Sequence, residues 1–250
     1  MSVFKRFRWQ TRLAGAGVLA AALTLLFPTL AFANVTLTQI SSDPFTQATC
    51  KASNTTNHHT EVEPDTFSNG STIVAAFQVG RVYDGGGCAI GFATTTNNGA
   101  SWTNGLLPGI TKWSGGGSYD RVSDPSVAYD AKHGVWLVST LPLLESGGVH
   151  GAAIVTSRST DGGLTWSNPF TVKTGADLDK NWIVCDNTST SPFYGNCYTQ
   201  WDNHGAGNLL QKSRSLDGGQ TWSAAASTIT QIQQTARKGV QSIDGRCGHR

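Results

Sequence analysis

Three kinds of feature are missing from this chain. No Cys-x-x-Cys pair occurs, so there is no zinc-site spacing. No basic patch with interleaved aromatics is visible, so nucleic acid is not an expected partner. Beyond residue 33, no apolar run is long enough to span a bilayer. The charge balance is also less basic than it looks. The formal net charge is +2. Lys5, Arg6, Arg8 and Arg12 sit in residues 1–33 with no acid, and without those four the balance is −2. Arg237, Lys238, Arg246 and Arg250 stand against Asp244 near the other end; without that net three the body is −5. The basic character belongs to the ends.

The start reads as a secretion signal. Four cations precede an apolar stretch over residues 14–30, and Ala31-Phe32-Ala33 is a small-residue cleavage site. Secretion implies an oxidising compartment, where cysteines pair. Of the five cysteines, Cys185 and Cys197 flank a polar loop and form the first expected pair. Cys50 with Cys88 is the second, chosen by proximity, and Cys247 is left over. His58, His59 and Glu61 could ligate a metal, but a solvated loop is the better reading.

What the chain does have is a repeat. Ser159-Thr160-Asp161-Gly162-Gly163-Leu164-Thr165-Trp166 returns as Ser215-Leu216-Asp217-Gly218-Gly219-Gln220-Thr221-Trp222. A worn copy, Thr95-Thr96-Asn97-Asn98-Gly99-Ala100-Ser101-Trp102, lies upstream. The closing tryptophans are spaced by 64 and 56 residues, the sign of stacked supersecondary units. Each copy follows a short alternating run, which predicts a half-buried strand. The glycines accept the positive φ of a tight turn. The Asp (Asn97 in the worn copy) can bond the N–H groups of its own turn. Trp102, Trp166 and Trp222 are expected to plug seams between sheets. A second repeat, out of phase, places Glu63-Pro64-Asp65, Asp124-Pro125-Ser126 and Asp179-Lys180-Asn181 before strands as acidic turns. Each unit then has four antiparallel strands, which describes a propeller blade.

The motif Ser/Thr-x-Asp-x-Gly-x-x-Trp resembles the Asp-box, the repeat of bacterial neuraminidases. Residues 40–223 look like part of a sialidase-type β-propeller. The resemblance implies an all-β fold with six blades. About three to three and a half are present, over residues 34–230, ahead of an atypical basic tail at 231–250. The expectation is therefore a truncated or frameshifted product of a longer sialidase-like protein, or a half-propeller that dimerises into a ring. The resemblance also implies a secreted exo-α-sialidase that hydrolyses terminal sialic acids from glycoconjugates. Three arginines would clamp the substrate carboxylate, a Tyr would be the nucleophile and an Asp the acid/base. The family's Phe/Tyr-Arg-Ile-Pro motif is absent.

Candidate residues follow. Arg81 and Arg121, in Gly-rich loops near inner strands, are expected to bind substrate. Asp84 and Asp120 are expected as acid/base. Glu63, Asp65, Asp124 and Asp179, read as equivalent inner-strand positions, could converge on a cation or a hydroxyl-rich glycan, or simply cap their own turns. Arg158 and Arg214 read as solvated strand residues. No cofactor is expected, beyond a structural calcium compatible with the carboxylate ring. The competing function is a non-catalytic Asp-box propeller that binds glycans or proteins at the cell surface.

Overall fold

Short runs punctuated by glycine-rich turns form strands; those at Gly87–Thr95 and Ala153–Ser159, expected to be half-buried, are buried on both faces because neighbouring layers cover each side. The computed structural model describes residues 37–227. The expected signal sequence, the basic tail and Cys247 lie outside the described residues. Fourteen strands are present: β1 (Thr56–Asn57), β2 (Val62–Asn69), β3 (Thr72–Val82), β4 (Gly87–Thr95), β5 (Thr103–Leu106), β6 (Arg121–Asp130), β7 (Val135–Leu144), β8 (His150–Gly151), β9 (Ala153–Ser159), β10 (Phe170–Thr174), β11 (Leu178–Cys185), β12 (Cys197–Asn203), β13 (Leu209–Ser215) and β14 (Ala226–Ser227). All named strand pairs are antiparallel. Three four-stranded meanders result: β2-β3-β4-β5, β6-β7-β9-β10 and β11-β12-β13-β14. The first two are joined by one pairing, Gly87 with Val122.

The meanders stack, and the seams between them are the core. Val74, Ala76, Ile90 and Phe92 of the first unit pack on Val122, Val127, Trp136 and Val138 of the second, with Trp166 against them. Ala128, Val135 and Leu137 of the second pack on Ile183 and Cys197 of the third, with Trp222. Trp166 and Trp222 therefore seal seams, as expected. Trp102 packs instead on the far face of the first unit, beside Phe77 and Phe45.

The same rows of side chains build both seams. In the first unit they are Asp65–Ala76–Phe92 and Phe67–Val74–Thr94. In the second they are Ser126–Ser139–Thr156 and Ala128–Leu137–Arg158. Asp65 Oδ2 accepts from Val127 N at 2.8 Å, and Ser126 Oγ accepts from Ile183 N at 3.2 Å. Phe92 meets Trp166 with ring centroids 6.0 Å apart, and Thr156 Oγ1 accepts from Trp222 Nε1 at 3.1 Å. Thr94 Oγ1 donates to Gly163 O at 2.8 Å; Arg158 Nε donates to Gly218 O at 2.7 Å. Arg158 is thus a seam residue, which corrects its reading as solvated.

The octapeptide turns match in detail. Asp161 Oδ1 accepts from Ser159 Oγ, Leu164 N and Thr165 N, and Oδ2 from Thr165 Oγ1. Asp217 repeats every bond. Asn97 keeps those from Thr95 Oγ1 and Ser101 N, and donates to Ser101 Oγ. Burial alone would raise the Asp161 carboxyl, but the Thr165 hydroxyl and the turn N–H groups outweigh it and pull it below its ordinary value. Asp161→Ala should cost about 1–2 kcal/mol, the figure discounted for the turn's exposure, read as a lower urea midpoint. Asp161→Asn should cost less, because Asn97 already runs the same turn.

Both expected disulfides, Cys50–Cys88 and Cys185–Cys197, are formed. No helix among the described residues is long and apolar enough to cross a membrane.

Candidate functional site

The octapeptides follow β4, β9 and β13, so they share one end of the stack. The acidic repeat opens β2, β6 and β11, and antiparallel pairing puts it at the opposite end. It is not a turn ahead of each strand. It is a bulge inside the first strand of each four-stranded unit, with the register shifting between Val62 and Asp65, between Ser123 and Ser126, and between Asp179 and Trp182. One residue in each bulge is left-handed: Glu63 at φ 53°, Asp124 at 48° and Lys180 at 50°. A bulge re-aims its side chain, and here three equivalent bulges stand side by side. The equivalence corrects one expectation. Lys180, not Asp179, takes the place of Glu63 and Asp124.

The three residues form a charged relay. Gln78 Nε2 donates to Glu63 Oε2 and, at 2.9 Å, to Ser123 Oγ. Ser123 Oγ donates to Asp124 Oδ1 at 2.7 Å. Lys180 Nζ lies 3.4 Å from Asp124 Oδ2. Burial and the neighbouring Asp124 charge raise the Glu63 carboxyl above its ordinary value, against a smaller pull from Lys180. Asp124 in turn raises the Lys180 ammonium. The arrangement gives one carboxyl that holds its proton longer than usual beside a carboxylate with a cation partner. Asp179 stands beside it, its Oδ2 4.0 Å from His204 Nε2. Asp65 does not face a ligand, since its carboxylate is engaged by Val127 N and Thr66 N.

A second cluster lies at the same end, and it overturns other expectations. Arg121 is completely buried. Its Nε donates to Glu145, its Nη1 to Asp84 Oδ1 at 2.6 Å and Gly85 O at 2.8 Å, and its Nη2 to Ser53 Oγ at 3.0 Å. With its donors spent inside the protein, it cannot clamp a substrate carboxylate. Asp84 is lowered, chiefly by the Arg121 hydrogen bond. Burial would raise Asp120, but Lys112 (2.7 Å) and the Glu145 N–H (2.9 Å) outweigh it and hold it low. Both acids are kept ionised, the wrong state for a general acid at neutral pH. Burial raises the Tyr119 hydroxyl above its ordinary value. Arg81 alone keeps its expected availability: it is half-buried, with no side-chain partner among the described residues.

Gln78, Ser123, Lys180 and Glu145 were missed by the sequence reading. Lys180 had a signal, since it lies 56 residues after Asp124, the same interval that separates Trp166 from Trp222. Gln78 and Ser123 had none, because their role depends on a pairing across units. No group of three or more metal-type ligands occurs among the described residues.

No known family profile matches the chain, and no curated protein does. Solved structures do resemble it. A protein of unknown function from Dyadobacter fermentans is 19% identical with a TM-score of 0.50, over 67% of this chain and 50% of that one. A Hadza microbial sialidase is 18% identical with a TM-score of 0.47, over 70% and 37%. An α-L-arabinanase of Penicillium chrysogenum, complexed with arabinobiose, is 12% identical with a TM-score of 0.43, over 65% and 44%. The chain spans half or less of the length of these structures. Likeness at such identity concerns the fold alone, and what it supports is an all-β chain of antiparallel sheets.

Proposed function

We propose that the chain is part of a secreted, sialidase-type β-propeller with Asp-box turns, and that it acts on glycans as a glycoside hydrolase. The observation that carries the chemistry is the Glu63–Asp124–Lys180 bulge cluster at the end opposite the octapeptides. Paired carboxylates in unlike environments serve most glycosidases, as distinct from the Tyr-based sialidase chemistry that the resemblance implies. Glu63, raised, would protonate the leaving oxygen. Asp124, balanced by Lys180, would act as base or would stabilise positive charge at the anomeric carbon. Arg81, whose side chain has no partner among the described residues, is a cation available to an acidic sugar. Exo-α-sialidase activity is the finer reading that the resemblance suggests. A non-catalytic glycan-binding propeller is the second reading, favoured by the burial of Arg121, which leaves no three-arginine clamp among the described residues.

The test is release from fluorogenic sialosides, arabinofuranosides and galactosides by the secreted chain. Glu63→Gln and Asp124→Asn should each lower kcat by about 10²–10⁴-fold with little change in KM. A working acid must be protonated, so activity should fall as pH rises through the raised Glu63 value. Lys180→Met removes a charge that lowers Glu63, and should move that limb to higher pH. Glycan binding without release would leave the second reading. Release that survives both carboxylate changes would place the chemistry elsewhere.

A further inference from the structure

The three bulges differ at one position. Glu63 and Asp124 are each followed by proline, whereas Lys180 is followed by Asn181. Proline fixes φ and carries no donor, so Pro64 and Pro125 set only their own backbone. Asn181 does something else. It is 3% exposed, and its side chain crosses the seam to the second unit. Its Nδ2 donates to Asp124 O and to Ser139 Oγ, both at 3.0 Å. Ser139 Oγ lies in turn 3.2 Å from Thr199 Oγ1 of the third unit. A carbonyl oxygen only accepts, which fixes the amide nitrogen on the Asp124 side. Asn181 Oδ1 is left buried with no partner among the described residues. Asparagine here forgoes the rigid φ of proline and strands an oxygen, and both cost stability. The two sibling bulges, with the same left-handed residue ahead of proline, show that proline serves the backbone. The bond to Asp124 is what asparagine adds.

We propose that Asn181 is a positioning residue for the candidate site: by holding the Asp124 carbonyl, it fixes the peptide plane that aims the Asp124 carboxylate at Lys180 and toward Glu63. Its catalytic meaning rests on the glycosidase reading; the aiming itself does not. Asp124 is left-handed at φ 48°, a conformation that persists only where the surroundings over-determine it. The peptide that follows belongs to Pro125 and has no N–H, so Asp124 O is its one hydrogen-bonding handle. Asn181 grips that handle. Its neighbour Lys180 holds the carboxylate, with Nζ 3.4 Å from Oδ2. Two consecutive residues of β11 therefore fix Asp124 at both ends. The charged groups around Glu63 are Asp124 from β6 and Lys180 from β11, and the Asp124 charge pushes the Glu63 carboxyl up. Asp124 also raises the Lys180 ammonium. Releasing Asp124 should therefore lower both.

The test is Asn181→Pro, which gives the third bulge the sequence its siblings already hold. In NMR titrations of the carboxyl and ammonium groups, Glu63 and Lys180 should both move down toward their ordinary values. In an active chain, kcat should fall about 10–100-fold with KM nearly unchanged, and the alkaline limb should move to lower pH. Unchanged titrations in a variant that melts cooperatively would overturn the proposal, whatever the activity. Full kcat in the variant of an active chain would overturn it too. Shifted titrations in a chain that releases no sugar would support the aiming and remove only the glycosidase reading. If Asn181→Pro does not fold, Asn181→Leu takes its place with the same expected shifts. The parent chain supplies an independent check. The side-chain amide protons of Asn181 should exchange at least about tenfold more slowly than those of the exposed Asn69. Equal rates would mean that the bond to Asp124 is not held, and the proposal would fall.

Discussion

Arg121→Met should destabilise the protein by about 3–5 kcal/mol, the usual cost of breaking a buried ion pair from one side. For a domain of this size that is a fall in Tm of about 6–20 °C in a thermal melt. The cause is convergence. Arg121 opens the second unit, Asp84 belongs to the first unit's hairpin, Glu145 follows β7, and Ser53 belongs to the N-terminal segment. One guanidinium fork joins three parts of the chain, and Met would leave Glu145, which is largely buried, without its cation. Arg121→Lys should rescue little, since an ammonium cannot reproduce the fork. The pH dependence has a definite sign. Asp84, Asp120 and Glu145 are all lowered, so their contribution is complete above the ordinary carboxylate range and is lost as pH falls through their depressed values. Arg121→Met should flatten the acid side of a stability–pH curve. A substrate clamp behaves otherwise: its removal spares stability and costs activity. A melt unchanged by the substitution would return Arg121 to the binding role.

Gly151→Ala should cost about 3 kcal/mol or more, read from chemical denaturation. A Cβ at Gly151 would lie 1.8 Å from the Leu178 carbonyl oxygen and 3.0 Å from Leu141 Cδ1. The obstacle is the main chain of β11, which has no rotamer to change, so overpacking must move a strand. That strand carries Asp179 and Lys180, one and two residues later. The substitution should therefore also weaken the Lys180–Asp124 pair and move any pH limb set by Glu63. Gly147→Ala is the control. Gly147 has φ 79° but open space where a Cβ would stand, so only backbone strain of about 1 kcal/mol is expected.

Spacing made the units legible, because each octapeptide closes a unit of fixed plan. The turn chemistry of Asp161 and Asp217, the burial of Trp166 and Trp222, and both disulfides followed from local sequence. The candidate site was less legible for a physical reason. Arg121 finds partners 24, 37 and 68 residues away, and no local pattern distinguishes a buried guanidinium from a solvated one. The Gly-rich segments around Asp84 and Asp120 read as open binding loops. They are hairpin ends and strand entries that close on Arg121. The bulges were read as turns because Glu63-Pro64-Asp65 and Asp124-Pro125 set an acid beside a proline, the composition of a turn, and nothing in the sequence marks the left-handed residue that makes a bulge. That one-residue difference placed Asp179 where Lys180 stands.

The meander plan also bears on how the chain reaches its structure. Each sheet pairs strands that are neighbours in sequence, so most loops closed during folding are short and their entropy cost is low. The bonds across each seam then need only two adjacent units. Folding can advance unit by unit, each finished sheet acting as a template for the next, like a one-dimensional chain of coupled elements. Local opening should follow the same geometry, with the middle sheet, packed on a neighbouring unit at both faces, exchanging slowest.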